Sequence, residues 1–170
     1  MGRVINEIVN VFKKIKKDNF LLLERLILES EKVFVYGMGR SGFIGRCFCM
    51  RLFHLGFNSY FVGETITPKF EKDDLIILIS KTGEKPILLE IAKICKKEKG
   101  KVLSITSNIK NDLAKLSDFS IIIPIKKSLQ IENSLFEQVC FLFLEEFIDY
   151  FVKKNKIKKE IIKKTHTNLE

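Results

Sequence analysis

The first thirty residues of the chain carry apolar side chains at intervals of three or four residues. They form two stretches, at 4–15 and 20–30, and a polar run at 16–19 separates them. This spacing predicts amphipathic helices, and a short polar break between two of them predicts a turn. We therefore expect the chain to open with a helical hairpin over residues 1–31.

From Val33 onward the pattern changes to short β-rich runs that end at glycine, proline or polar residues. We predict strands at 33–36, 59–62, 75–79, 102–106 and 119–123. Helical stretches separate most of them, at 41–55, 86–99 and 112–116, and a long helix with a wide apolar stripe follows at 135–154. This alternation predicts an α/β fold of flavodoxin or Rossmann type, a three-layer α/β/α sandwich around a five-stranded parallel sheet.

The length of 170 residues suits one domain with a substantial core. We expect an α/β core over 32–155 and a lysine-rich tail over 156–170, whose three isoleucines can hold a last short helix against the surface. No run of 18 apolar residues occurs, and charged residues interrupt the N-terminal pattern. We therefore expect a soluble, cytoplasmic protein without membrane contact.

The net charge of +9 raises the question of a nucleic-acid partner. Many of the lysines cluster at predicted helix ends, at 13–17, 93–101 and 153–164, and the chain has no tryptophan. Because the lysines of 153–164 have no aromatic residue among them for base stacking, we expect no nucleic-acid binding. Such a field still attracts small anions.

The four cysteines are Cys47, Cys49, Cys95 and Cys140, and all lie in apolar sequence contexts. Their spacing does not match that of paired metal ligands, and Cys47 and Cys49 would point to nearly opposite faces of a helix. We interpret them as core thiols rather than as disulfides or metal ligands.

The first candidate site is the run Gly37-x-Gly39-x-x-Gly42, which follows a predicted strand and opens a predicted helix. Together with Glu64 it satisfies the fingerprint of a dinucleotide-binding loop. Arg40 and Ser41, however, occupy positions where small residues usually make room for a pyrophosphate. Dinucleotide binding therefore stays open here beside the binding of a sugar phosphate.

The second candidate site is Ser80-x-Thr82-Gly83, again between a strand and a helix. Two hydroxyls one residue apart, beside the N–H groups of a helix start, suit a phosphate monoester, and Lys81 and Lys85 add positive charge. The alternative is that Ser80 and Thr82 only cap the helix that begins at Pro86.

Several runs of the sequence carry a resemblance to a known family. They are VFVYGMGRSG at 33–42, GRCFCMRL at 45–52, HLGF at 54–57, YFVGET at 60–65, Thr67-Pro68, Asp73-Asp74-Leu75, SLFEQ at 134–138 and HTNLE at 166–170. On these residues the whole chain resembles the sugar isomerase (SIS) domain family, and within it the 6-phospho-3-hexuloisomerases.

The resemblance implies isomerisation of D-arabino-hex-3-ulose 6-phosphate to fructose 6-phosphate through a cis-enediolate, without metal or organic cofactor. It implies Glu137 as the catalytic base and His166 as a group that handles oxygen-bound protons. The residues implied to bind or shape the substrate are Gly39, Arg40, Ser41, Arg51, Ser80 and Thr82, beside Lys81 and Lys85. It also implies a homo-oligomer, a tetramer, with sites at subunit boundaries. From the residues alone, Glu137 is equally read as an N-terminal helix acid, His166 as an exposed tail residue, and Arg46 and Arg51 as ion-pair partners.

The chain departs from the family pattern in two places. Lys81 and Lys85 stand where the second loop usually has glycine and threonine, and strain is expected if Lys81 adopts a positive φ. Ile131-Glu132-Asn133 replaces a Pro-Met-Gly run before Ser134. These departures keep a second function open, a noncatalytic sugar-phosphate-binding module, with dinucleotide binding as a third.

Overall fold

The computed structural model describes residues 2–125, 127–130 and 134–169. The helices are α1 (Arg3–Phe12), α2 (Asp18–Leu28), α3 (Gly39–His54), α4 (Pro86–Lys97), α5 (Asp112–Leu116), α6 (Leu135–Lys154) and α7 (Lys159–Thr165). The strands are β1 (Val33–Gly37), β2 (Ser59–Phe61), β3 (Leu75–Ile79), β4 (Lys101–Thr106) and β5 (Phe119–Ile122). All five predicted strands and the predicted helices are therefore present, with boundaries that move by a few residues.

The five strands form one sheet in the order β2-β1-β3-β4-β5, and every neighbouring pair is parallel. All five residues of β3, the central strand, are buried, as expected for a parallel strand with helices on both faces. Its side chains alternate between two hydrophobic clusters. Leu75, Ile77 and Ile79 belong to one, and Ile76 and Leu78 to the other. The predicted three-layer α/β/α architecture is confirmed.

The predicted N-terminal hairpin packs against the long helix α6. The ring of Phe20 lies 5.2 Å from the ring of Phe143 and 5.4 Å from that of Tyr150, measured between centroids. Helix α1 ends at Phe12, three residues before the predicted end. Residues 13–17 form the turn instead, and Ile15 packs against the core from this turn.

The prediction that every cysteine is a core thiol is wrong for Cys47. Cys49, Cys95 and Cys140 are buried, whereas Cys47 is exposed, and all four are free. Two residues along a helix correspond to about 200°, so the burial of Cys49 turns Cys47 outward. Burial raises the pKa of Cys49 to about 11 and that of Cys95 to about 12.

None of the helices in the described part of the chain is long and apolar enough to cross a membrane. The charged residues are mostly at the surface, and several lysines there form ion pairs with acidic residues of other elements. Examples are Lys101 with Glu29 and Lys32 with Glu71.

Candidate functional site

A cavity of about 360 Å³ lies at the carboxyl edge of the sheet, between the ends of β1 and β3. In the sheet, β2 lies on one side of β1 and β3 lies on the other. The connections that follow β1 and β3 therefore run in opposite directions and leave a crevice between the ends of these two strands. The cavity is lined by Met38, Arg40, Ser41, Ile79, Ser80, Lys81, Thr82, Lys85, Leu88 and Glu137. The fold thus brings the two candidate loops together with Glu137.

The glycines of the first loop serve the turn from β1 into α3. Gly39 has a φ of +55°, a backbone angle that residues other than glycine rarely adopt. A Cβ at Gly42 would lie 2.6 Å from the carbonyl oxygen of Gly37, so this glycine allows the helix to pack against the end of the strand. Helix α3 therefore begins at Gly39, two residues before the predicted start, and the glycine pattern is explained without a pyrophosphate.

The acidic residue of the dinucleotide fingerprint is already engaged. Glu64 forms an ion pair with Arg46, whose guanidinium lies 4.0 Å from the centroid of the Phe61 ring. An acid held by a guanidinium is a poor acceptor for ribose hydroxyls. The loop geometry and this ion pair together disfavour the dinucleotide hypothesis.

The second loop is fixed by its own hydrogen bonds. The hydroxyl of the buried Ser80 accepts a hydrogen bond from the N–H of Gly83 at 3.1 Å. The carbonyl of Lys81 accepts from the hydroxyls of Thr106 at 3.0 Å and Ser107 at 2.8 Å, which ties the loop to the end of β4. Both ends of the loop are therefore held in place before any ligand arrives.

Two expectations about this loop are settled by the backbone. Lys81 is not among the described non-glycine residues with positive φ, so the expected strain does not arise, and Gly83 takes the positive φ instead. Lys85 is the N-cap of α4, and no side chain caps that helix. The alternative that Ser80 and Thr82 cap it is therefore wrong.

Glu137 reaches the cavity from the first turn of α6. Its Oε1 accepts a hydrogen bond from the hydroxyl of Ser41 at 3.1 Å, and its Oε2 lies 3.8 Å from Nη2 of Arg40. Arg40 also donates from Nη1 to the hydroxyl of Ser134, the N-cap residue of α6, at 3.2 Å. The starts of α3 and α6 are thus joined by side chains at the rim of the cavity.

The charges around the cavity suit a phosphorylated ligand. Three cationic side chains, Arg40, Lys81 and Lys85, line it together with one carboxylate, that of Glu137. A phosphate dianion is attracted by such cations, and the hydroxyls of Ser80 and Thr82 add hydrogen-bonding groups. Within the described residues, no group of three or more His, Cys, Asp or Glu side chains is arranged to hold a metal ion.

Two predicted site residues lie elsewhere in the chain. Arg51 forms a two-point contact with Glu145 of α6, at 3.0 and 3.2 Å, which matches the alternative interpretation as an ion-pair residue. His166 stacks on His54, with ring centroids 5.1 Å apart. Because His54 is the last residue of α3 and Ser41 is in its first turn, His166 lies about 20 Å from the cavity along that helix.

The stacked histidines hold the tail against α3. Thr165 donates a hydrogen bond to the carbonyl of His54 at 2.9 Å, and Ile157 and Ile162 pack against the main core. The pKa of His54 lies below its ordinary value because burial disfavours the imidazolium. The charges of His166 and Arg51 act in the same direction.

Sequence reasoning missed the residues that support the second loop. Asn111 donates to the hydroxyl of Thr106 at 2.6 Å and accepts from the N–H of Ala114 at 2.8 Å. A Cβ on Gly83 would lie 2.2 Å from its side chain. An asparagine before a short helix signals an N-cap in the sequence, but its contact with Gly83 depends on the fold. Glu132 and Asn133, named as departures, lie outside the described residues.

Comparisons with known proteins identify the family of the chain. Residues 26–135 match the model of the SIS domain. A 3-hexulose-6-phosphate isomerase of Methanocaldococcus jannaschii is 42% identical over 87% of this chain and 82% of the relative. One of Bacillus subtilis is 34% identical over 100% of this chain and 97% of the relative.

The fold also matches a solved structure. A crystal structure from Methanococcus jannaschii, from which a molecular function of 3-hexulose-6-phosphate isomerase was inferred, is 38% identical to this chain. It has a TM-score of 0.89 and covers 98% of this chain and 97% of that one.

Proposed function

The chain belongs to the SIS domain family and is an isomerase, and on this premise we propose that it converts D-arabino-hex-3-ulose 6-phosphate to fructose 6-phosphate. The observation that carries the proposal is the meeting of Glu137 with the Ser80–Lys85 loop in one cavity. A proton-transfer group and a phosphate-binding loop in the same cavity are what isomerisation of a phosphorylated ketose requires. The names of the relatives support the choice of sugar.

The phosphate is assigned to the second loop. Ser80, Thr82 and the N-terminal turn of α4 offer hydrogen bonds, and Lys81 and Lys85 offer charge. The two lysines are departures from the family pattern, and here they strengthen the attraction of a dianion. Binding at this end fixes the position of the sugar carbons relative to Glu137.

The chemistry is assigned to Glu137. Its carboxylate removes the proton from C2 of the substrate, and the electrons of that C–H bond form the C2–C3 double bond of a cis-enediolate. Return of the same proton to C3 moves the carbonyl from C3 to C2. Arg40, 3.8 Å from the carboxylate, supplies positive charge at the place where the enediolate oxygens develop negative charge.

His166 and Arg51 enter the proposal through a second copy of the chain. Within one chain, His166 is held about 20 Å from Glu137 by its contact with His54. A tetramer with sites at subunit boundaries brings the tail of one subunit to the cavity of another. There His166 moves the proton between the oxygens at C2 and C3, and Arg51 lies close enough to shape the substrate site.

Turnover with hex-3-ulose 6-phosphate tests the proposal, with fructose 6-phosphate as the measured product. Because Glu137→Gln removes the base and keeps the shape, we expect a loss in kcat of about 100- to 10,000-fold. Phosphosugar binding, measured by calorimetry, should persist. The matched control is Glu146→Gln, which makes the same change at an exposed acid of the same helix that does not line the cavity.

The outcomes separate the candidate functions. Turnover that is lost in Glu137→Gln and kept in Glu146→Gln supports isomerisation with Glu137 as base. Tight phosphosugar binding without turnover by the wild-type protein would contradict the proposal and favour the noncatalytic binding module.

A further inference from the structure

The hydroxyl of Ser41 is directed to the catalytic carboxylate. Ser41 is 7% exposed, and its hydroxyl donates to Oε1 of Glu137 at 3.1 Å. A serine hydroxyl has one hydrogen to donate, and here the carboxylate takes it. Resting on the proposed function, we propose that Ser41 is a positioning residue, which orients the carboxylate of Glu137 for proton transfer, rather than a ligand of the sugar or its phosphate.

The contact joins two helices at equivalent positions. Ser41 and Glu137 are each the third residue of their helix, α3 and α6, and both helices start at the carboxyl edge of the sheet. A second contact runs beside it, from Arg40 to Ser134. The carboxylate is therefore held by its own backbone in α6 and by the first turn of α3.

The two carboxylate oxygens are in different environments. Oε2 is shielded from solvent and makes no hydrogen bond with the described residues, although Nη2 of Arg40 lies 3.8 Å away. The side chain of Glu137 as a whole keeps 14% of its surface exposed, so its accessible part does not include Oε2. The hydrogen bond to Oε1 fixes which edge of the carboxylate faces the cavity.

The orientation of the Glu137 carboxylate matters more than that of a base that only removes a proton. Glu137 must take a proton from C2 and return it to C3, so its oxygen has to lie within reach of both carbons in turn. A carboxylate that rotates about its terminal bond loses that alignment, because the side-chain torsion next to a carboxylate is soft. Ser41 thus acts on the rate of the chemical step and not on the affinity for the sugar.

Other charged and titratable groups around the carboxylate come from three elements. Arg40 faces it from α3, Lys81 and Lys85 line the same cavity from the second loop, and Cys140 lies one turn further along α6. Burial raises the pKa of the Cys140 thiol, and the charge of Glu137 adds to this effect. Cys140 therefore stays neutral and does not compete for the proton.

The test uses Ser41→Ala and Ser41→Cys in the full chain, with kcat and KM measured between about pH 5 and pH 9. We expect kcat of Ser41→Ala to fall about 10- to 100-fold, as for a lost hydrogen bond to a charged group, while KM and fructose 6-phosphate affinity stay within about twofold. Ser41→Cys keeps a weak donor, so its kcat should lie between those of the wild-type protein and Ser41→Ala. This variant also tests the role of Ser41 if the alanine variant does not fold.

Two further variants separate positioning from a structural role. Ser59→Ala removes another buried hydroxyl that bonds to the same helix, at the carbonyl of Cys49, and should lower stability without a selective loss of kcat. In a Glu137→Gln background, Ser41→Ala should cost no further activity, because the group through which it acts is gone.

A raised KM or weakened sugar binding with unchanged kcat in Ser41→Ala would overturn the positioning role and return Ser41 to the substrate ligands. Absence of turnover by the wild-type protein would overturn the proposed function, and the role of Ser41 with it.

Discussion

At the scale of single residues, two glycines that follow strands at the carboxyl edge of the sheet differ in their steric surroundings. Gly83 has a φ of +68°, and a Cβ there would also collide with Asn111. Gly63, after β2, has a φ of +95°, but a Cβ there would meet nothing within 4 Å. Backbone strain and side-chain collision can therefore be separated within this one protein.

We predict that Gly83→Ala destabilises the protein by about 3 kcal/mol and Gly63→Ala by about 1 kcal/mol. The difference arises because Asn111 is fixed by its bonds to Thr106 and Ala114 and cannot move aside cheaply. Urea unfolding followed by circular dichroism measures both values. Equal losses of stability in the two variants would show that Asn111 moves aside and that backbone strain alone sets the cost.

At the scale of elements, the first turns of α3 and α6 form the cavity and the opposite end of α3 holds the tail. Helix α7 is attached there by the Thr165 bond to His54 and by the stacked imidazoles of His54 and His166. Among the described helices and strands, α3 makes the most contacts with α7. The attachment of the tail therefore depends on few groups, and the imidazole of His54, whose pKa is lowered, is one of them.

We predict that acidification weakens this attachment. The folded-state pKa of His54 is lowered, so its contribution to stability is fully present above the ordinary histidine value of about 6.5 and is lost as the pH falls through the lowered pKa. Melting temperature and proteolysis of the tail, followed against pH, measure the effect. His54→Gln, which cannot be protonated, should show a smaller loss on acidification, and identical pH dependence in both proteins would contradict the prediction.

At the scale of the whole molecule, the role proposed for His166 requires a second copy of the chain. His166 is far from the cavity of its own subunit, whereas Glu137 lines it. A closed oligomer places the same surface of every subunit in the same environment, so a residue that reaches a neighbouring site does so in each copy.

Mixed oligomers of Glu137→Gln and His166→Gln test this arrangement. Each variant alone is expected to be inactive, but in an equal random mixture about a quarter of the sites combine an intact Glu137 with an intact His166 from different chains. We expect co-expression to restore activity in that proportion, measured together with the molar mass by light scattering. Mixtures that stay inactive would place both residues in one subunit's site, whereas an active His166→Gln variant would remove His166 from catalysis.

Much of the fold follows from local patterns in the sequence. Strand β3 is a run of five apolar residues between polar ones, and the helices show their periods and end signals, such as Pro86 at the start of α4. Interactions between near neighbours produce these periods, so they can be recognised in the sequence without knowledge of the fold. The glycine and hydroxyl loops likewise predicted the two turns that line the cavity.

The tertiary structure decided which of these residues meet. The bond from Ser41 to Glu137 joins residues 96 positions apart, and the pair of Arg51 with Glu145 joins residues 94 apart. Nothing in the local pattern around Ser41 or Arg51 distinguishes a substrate ligand from a residue that contacts another helix. The sequence by itself thus determined the elements and the order of strands and helices along the chain. The packing of α3 beside α6 decided the role of each side chain, because contacts between distant residues form only when the sheet brings their helices together.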